Sequence, residues 1–561
     1  MESILNTYII NFSGRHLLGK MDIDDVLVTV GMGRYQIMGC FLFGIVLLMS
    51  NVSPVAYIFT AGDLKYRCQV PGCDDTSGQT ELVYEPEWLK YTTPYREQNS
   101  HPYKCRRYSR VSYENETEGN QCIPSNYDQN SMESCRNGNW VFQDYENTIG
   151  TEFGLMCEDN KWKLSMVGTL NNFGQFVGLP LSGVIADKYG RKFSMIFGIV
   201  MTCVLSFAQS FSVNYTMFLI LEFLSSLLSS GIYSITFVLA MELVLPKQRV
   251  LFYSILELFF PFGGILLAFV AKQVKDWRLL LRICNIPGLL FLSYFWLTEE
   301  SMRWLDTQGK KDQVVKILKK IAKFNNKPLP DLTDLQLEST NYKNDVDSKS
   351  SILKDIIRSP TILFRTVRCS IVWIGITLVY YGLSINATDI AGDKYINFML
   401  VTFIELPACL IYWLVTEGMT RKMSLATTCL LSGVTCVLYN MTPVDYVGVK
   451  LSIFLISKLA ISVAFSVVYM LTVEIFPTNM RAILLSLCSM LGRFGSMLAP
   501  QTTLLAEYYG ECVTMLLFGV TSFIAAAITM TLPESKNIKL PNTVDQAEQI
   551  GQSMKSEEIV E

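Results

Sequence analysis

The chain has 561 residues, of which 50% are hydrophobic and only 17% charged, and a formal net charge of −3. Soluble proteins carry about 25% charged residues, so a string of soluble domains is excluded. The net charge by itself says nothing about nucleic acid, and no basic module points to it, so no nucleic-acid partner is expected.

The first 34 residues are mostly polar, include "MDIDDV" and show no cleavable signal sequence; they read as a cytoplasmic N-terminus, 1–34. Twelve segments of roughly 18–24 largely uncharged residues follow, each long enough to cross a hydrocarbon core of about 30 Å. They lie at 35–58, 164–186, 193–212, 216–238, 250–272, 278–298, 367–386, 395–416, 423–440, 446–470, 482–506 and 511–532. The expected fold class is an all-α membrane protein with twelve transmembrane helices in a lipid bilayer. The expected organisation is an N-terminal six-helix bundle (35–298), a linker (299–366), a C-terminal six-helix bundle (367–532) and a cytoplasmic tail (533–561).

After the first span comes a polar, aromatic-rich loop, 58–163, that holds six of the fifteen cysteines: Cys68, Cys73, Cys105, Cys122, Cys135 and Cys157. An even set in such a loop reads as a disulfide framework closed in an oxidising, extracellular compartment, and the spacings match no zinc site. Which cysteine pairs with which is left open. Asn115, in "NET", is a glycosylation sequon in the same loop.

Between the sixth and seventh spans, Arg303–Arg365 holds thirteen Lys and Arg, whereas the connections 386–393 and 507–510 hold none. That bias places the linker and both termini in the cytoplasm. Within the linker, "DQVVKILKKIAKF" predicts a basic amphipathic helix with Val314, Leu318 and Ile321 on one face, lying on the inner leaflet or packed beneath the bundle. The acidic tail "QAEQIGQSMKSEEIVE" is expected to have no fixed structure.

The ends of the spans carry a repeat. "ADKYGRK" has Asp187, Arg191 and Lys192; "TEGMTRK" has Glu417 and Arg421. "MELVLPKQR" sets Glu242 before Arg249, and "VEIFPTNMR" sets Glu474 before Arg481. "EESMRWL" places Glu299, Glu300 and Arg303 after the sixth span, and "PESKN" closes the twelfth. The offsets between matching acids are 230, 232 and 234 residues, in the same order. The chain is thus two parallel six-helix pseudo-repeats, with charge-pairing motifs expected to form a gating network at the cytoplasmic mouth. Gly183 and Gly190 are expected to let backbones approach closely there.

"GVIADKYGRK" resembles the signature of the major facilitator superfamily, and together with "EESMRWL", "VEIFPTNMR" and the cysteine-rich loop it resembles the organic-ion branch: organic cation, organic anion and carnitine transporters. The likeness runs from about Val26 to Glu534. It implies alternating access to a central cavity, a plasma-membrane location, a small organic ion as cargo, and no cofactor. Sodium, a proton or a counter-transported anion are the candidate coupling partners. No P-loop, catalytic or metal motif appears, so no enzyme is expected. The histidines, His16 and His101, lie outside the spans and cannot form an intramembrane relay.

Charges inside the spans cost about 2.5–3.5 kcal/mol each on insertion scales and are read as functional. Arg493 lies roughly 16 Å into its span at 1.5 Å per residue, a fixed cation suited to an anionic group on a cargo. The competing role is an ion pair with an acid such as Glu405. The resemblance sharpens the point, because this position is typically acidic in organic-cation transporters and arginine in the anion and carnitine branches. Lys458 is as deep, and Glu405 is its plausible partner; Glu222 and Glu257 add negative charge that a zwitterion's ammonium could use. Trp373, Tyr380, Tyr381, Phe465 and Tyr469 fall at helical spacing beside these charges as candidate cavity walls. The function expected is transport of small organic anions or carboxylate-bearing zwitterions such as carnitine, with potential-driven transport of organic cations as the alternative.

Overall fold

The computed structural model describes residues 31–74, 82–95, 102–111, 122–135, 140–245, 248–328, 359–390, 392–443, 445–477, 480–536, 541 and 544–549. Asn115, His16, His101 and most of 1–34 lie outside them.

Eleven described helices are long and apolar enough to cross a membrane. In the first half these are Arg34–Thr60, Arg191–Gln209, Tyr215–Glu242, Ser254–Val274 and Trp277–Leu297. In the second they are Pro360–Asn386, Lys394–Gly418, Arg421–Met441, Val447–Ile475, Ile483–Tyr509 and Glu511–Thr529. The remaining predicted span, the second, is the 32-residue helix Glu158–Tyr189. Its apolar run is broken by Asn171, Asn172 and Gln175, which is why it is less apolar than the others. Side-chain caps fix several span starts: Asn214 accepts from the Met217 N–H, Asp276 from Leu279, and Ser359, just before Pro360, from Ile362.

Each half has its own apolar core. One gathers Phe43, Leu239 and Leu256 with Trp304; the other gathers Trp373, Leu425, Phe454 and Phe518. A third cluster joins the halves at the end that carries the cysteine loop, where Phe59 stacks on Tyr395 at 5.5 Å and meets Phe398 edge-on at 5.2 Å. Apolar side chains such as Leu290, Trp296 and Leu410 face outward, as a lipid-facing surface requires.

Among the described residues, the loop after the first span adds four short strands to the helical fold. Strand β1 (Tyr66–Cys68) pairs antiparallel with β4 (Trp140–Phe142), and β2 (Arg106–Arg110) with β3 (Tyr127–Ser134). Three disulfides close it: Cys68–Cys135, Cys73–Cys122 and Cys105–Cys157. Buried Arg67 forks onto Asp74 with two bonds of 2.8 Å and also donates to the Tyr84 carbonyl at 2.7 Å, fixing the loop's centre.

In the linker, Lys311–Asn325 forms the predicted helix, and Val314, Leu318 and Ile321 are fully buried. Asn325 ties this helix to the first span by accepting from the Tyr35 N–H at 3.0 Å. Of the tail expected to have no fixed structure, 550–561 lie outside the described residues and its start departs from expectation: Val544–Gln549 is helical, Ala547 is fully buried, and Ser359 and Arg365 hydrogen-bond to the segment through Glu548 and the Ala547 carbonyl. Capping contacts to the start of the seventh span, with one apolar residue inserted, outweigh the segment's polar composition. Gly183 also differs, because no atom lies near where its Cβ would stand; it is not a close-approach glycine.

Candidate functional site

Arg493 belongs to Arg481–Leu498, which lies tightly against Pro360–Asn386 because a Cβ on Gly495 would collide with the Ile374 carbonyl. That packing holds the guanidinium at the seam between the halves. It is half-buried and donates to Gln175 Oε1 at 3.0 Å, on the second span, and to the Tyr381 hydroxyl at 3.4 Å. Among the described residues no carboxylate stands within ion-pair range of it, so its direct partners are neutral.

Lys458 is handled differently. It is fully buried, its Nζ lies 3.0 Å from Glu405 Oε1, and it donates to Ser384 Oγ at 2.8 Å. It also stands 3.3 Å from the centre of the Tyr380 ring, while the Tyr380 hydroxyl donates to the same Glu405 oxygen at 2.5 Å. Tyr380 stacks on Phe465 at 4.9 Å; Phe465 meets Tyr469 at 5.4 Å, and Tyr469 meets Trp373 at 4.4 Å. Trp373 itself is buried and donates to Thr472 Oγ1 at 3.0 Å, so it backs the wall, whereas Tyr469 is partly open. Tyr381 lies edge-on to Tyr380 at 5.1 Å and so links the Lys458 cluster to Arg493.

In the first half, Glu222 is buried and accepts from Asn171 Nδ2 and Gln209 Nε2, both at 2.6 Å. Asn171 in turn accepts from Gln175 Nε2 at 2.8 Å. Glu257 is half-buried and accepts from the Tyr233 hydroxyl.

The repeated corner motifs make corresponding carboxylate contacts in the two halves. Glu300 accepts the backbone N–H groups of Arg191 and Lys192 at 3.0 and 2.9 Å, and Glu534 accepts those of Arg421 and Lys422 at 2.9 and 3.2 Å. Each carboxylate therefore sits on the N-terminus of the helix that follows the motif, where the helix dipole favours it. Arg191 pairs with Glu242 at 2.5 Å and Arg421 with Glu474 at 3.5 Å; Ser301 and Ser535 bond to the same two glutamates. Burial alone would raise the Glu534 carboxyl, but the N–H groups of Lys536 and Ser535 and the Thr420 hydroxyl hold it below its ordinary value. Asp187 and Glu417 are exposed, and their polar contacts run through their backbone carbonyls, to the Trp304 indole and to Lys536. Glu299 pairs with Lys320 of the linker helix at 2.5 Å, Lys192 donates to the Phe295 carbonyl at 2.8 Å, and Arg481 donates to the Phe476 carbonyl at 3.3 Å. Arg249 opens the fifth span half-buried, and Arg303 is exposed. The corner pairs of Arg191 and Arg421 each join helices of one half.

At the disulfide end, by contrast, ion pairs join the two halves. Lys161 pairs with Glu507, Lys272 with Asp393 at 2.7 Å and Lys394 with Glu146 at 2.5 Å across the seam, while Asp63, within the first half, takes Lys161 at 2.6 Å and Lys104 at 2.5 Å. Burial would raise the Asp63 carboxyl, yet the two ammonium groups beside it hold it well below the usual carboxylate range. Next to this cluster, under the loop, is a cavity of about 630 Å³ lined by six lysines and six carboxylates together with Tyr57, Ile58 and Tyr395.

The sequence reading named both mid-depth cations and their aromatic neighbours, and missed Asn171, Gln175 and Gln209. Neutral amides stand out less than charges, although two of them four residues apart in an apolar run mark one polar helix face. It also missed the charges at the disulfide end, since Lys161 and Glu507 lie at span ends where charge is ordinary.

Residues 104–544 match the family described as Sugar (and other) transporter. The chain is 30% identical over 533 residues to human Organic cation/carnitine transporter 2, covering 94% of each chain. It is 29% identical over 541 residues to mouse Solute carrier family 22 member 21, again 94% of each. Its fold is similar to that of the xylose transporter XylE from E. coli in an inward-open conformation, with a TM-score of 0.52 and 17% identity over 70% of this chain and 92% of that one.

Proposed function

Because this chain belongs to the sugar (and other) transporter family of the major facilitator superfamily, in its organic-ion branch, we propose that it carries small organic anions or carboxylate-bearing zwitterions, carnitine-like in chemistry, by alternating access. That it is a multi-pass membrane transporter and no enzyme follows from the family; the sign of the cargo is the further step. The reading includes a plasma-membrane location, cytoplasmic termini and glycosylation at Asn115, supported by the lysine- and arginine-rich linker and the disulfide loop at the opposite end.

The observation that carries the reading is the guanidinium of Arg493. It sits at the seam between the halves with neutral partners only, while the neighbouring Lys458 is already matched by Glu405. A half-buried cation without a direct counter-ion attracts a carboxylate strongly and offers it a two-pronged donor set. The rings of Tyr380, Phe465 and Tyr469 supply apolar contact for the rest of a cargo, and a face for an ammonium.

Proteoliposome uptake of carnitine, benzoate and tetraethylammonium tests this. Arg493→Ala should reduce carnitine and benzoate uptake by tenfold or more, on the order of losing one buried charge pair, with protein abundance held. The second reading, a potential-driven organic-cation carrier, draws on those aromatic rings beside Glu405 and Glu257. Saturable, depolarisation-sensitive tetraethylammonium uptake that survives Arg493→Ala, with no carboxylate uptake, would establish it instead.

A further inference from the structure

An unbroken line of hydrogen bonds crosses the seam between the halves. Arg493 Nη1 donates to Gln175 Oε1 at 3.0 Å, Gln175 Nε2 to Asn171 Oδ1 at 2.8 Å, and Asn171 Nδ2 to Glu222 Oε1 at 2.6 Å. Gln209 Nε2 donates to the second Glu222 oxygen at 2.6 Å. Asn171 and Gln175 are four residues apart on one helix, so a single turn stacks them.

The direction of the line is set by its ends. A guanidinium only donates and a carboxylate only accepts, so both amides must receive on the Arg493 side and donate towards Glu222. Their dipoles then point the same way, and the line behaves as a guanidinium–carboxylate pair with two amides between. Glu222 needs that partner, because it is 6% exposed inside an apolar bundle and an uncompensated charge there is strongly disfavoured. The groups facing it are Asn171 from the second span, Gln209 from the third, and the Tyr57 phenol from the end of the first. Among the described residues none of these is a cation, and Arg493 is the cation to which they lead.

We propose that this line couples anion binding to proton binding: when a carboxylate takes the donors of Arg493, the line opens at Gln175 and Glu222, left among neutral groups, binds a proton. The proposal rests on Arg493 as the anion-binding group. One anion then crosses with one proton, so a monocarboxylate moves with no net charge.

Infrared spectroscopy of the full chain in nanodiscs at neutral pH tests the linkage without any cargo. Wild type should show no carbonyl stretch from a protonated Glu222. Arg493→Gln and Gln175→Leu should each gain that band, and the added Glu222→Gln substitution should remove it from both. The two variants break the line at different places, and size-exclusion chromatography shows whether each is folded. A band already present in wild type, or its absence from both variants, would overturn the proposal. Uptake of benzoate under an inward proton gradient is the second arm: wild type should accelerate several-fold, and Glu222→Gln should not respond to the gradient. Arg493-dependent uptake that ignores the gradient sinks the coupling and leaves the anion reading intact. Uptake indifferent to Arg493→Ala sinks the anion reading, and the coupling with it.

Discussion

Lys458 and Arg493 sit at similar depth and are treated in opposite ways. Lys458 is enclosed, with Glu405 at 3.0 Å and the Tyr380 ring against its ammonium. Removing one partner of such a buried pair leaves a naked charge and costs about 3–5 kcal/mol, whereas removing both is far milder. Lys458→Met alone, and Glu405→Gln alone, should therefore lower the thermal midpoint of the purified protein by more than the double variant does. If the double variant is the least stable of the three, the pair is not a self-contained unit. Charges were legible at this scale because an ionised side chain in an apolar run is costly and so conspicuous. Asn171 and Gln175 escaped notice because an amide is cheap enough to pass as an ordinary break in hydropathy, and its importance appears only once a guanidinium from the other half meets it.

Among the elements, the corner motifs show how far a repeat in sequence goes as structure. The near-constant offsets of 230–234 residues were readable, and they correspond to the same carboxylate-on-helix contacts at Glu300 and Glu534. What could not be read was which acid does the capping, since that depends on where the sixth and twelfth spans end in space. The halves also differ at one point. Gly190 has φ +101°, and a Cβ there would collide with the Glu300 carboxylate; its counterpart 230 residues on, Thr420, has φ −73° and caps its helix with its side chain. Gly190→Ala should thus destabilise by at least the ~1–2 kcal/mol of a left-handed non-glycine residue, while Thr420→Gly should cost only a few tenths of a kcal/mol. Thermal unfolding followed by intrinsic fluorescence compares the two; equal losses would mean the corners are built alike.

For the whole molecule, the twelve-helix plan and the position of the cysteine loop were legible from span lengths and cysteine placement, while the joining of the halves was not, because it depends on charges from segments hundreds of residues apart. Lys161 and Glu507 pair across the seam at the disulfide end, a latch under the proposed alternating access, beside buried Ser165, which bonds across the seam to Thr503 at 3.0 Å. In a background without Cys512, Glu507→Gln should raise labelling of Ser165→Cys by a membrane-impermeant thiol reagent several-fold; an unchanged rate would remove the latch role. Because the Asp63 carboxyl is held low, its stabilisation is complete above the ordinary aspartate value and is lost only as pH falls through the lowered one. The midpoint difference between wild type and Asp63→Asn should accordingly stay flat from about pH 8 to 5 and shrink below about pH 4. The chamber beneath the loop carries ammonium and carboxylate groups in equal number, six of each. Such a chamber presents both polarities alike and sorts neither, so under the proposed function discrimination falls to Arg493. A descendant lineage could then invert its preferred guest by one codon change there, without rebuilding the doorway.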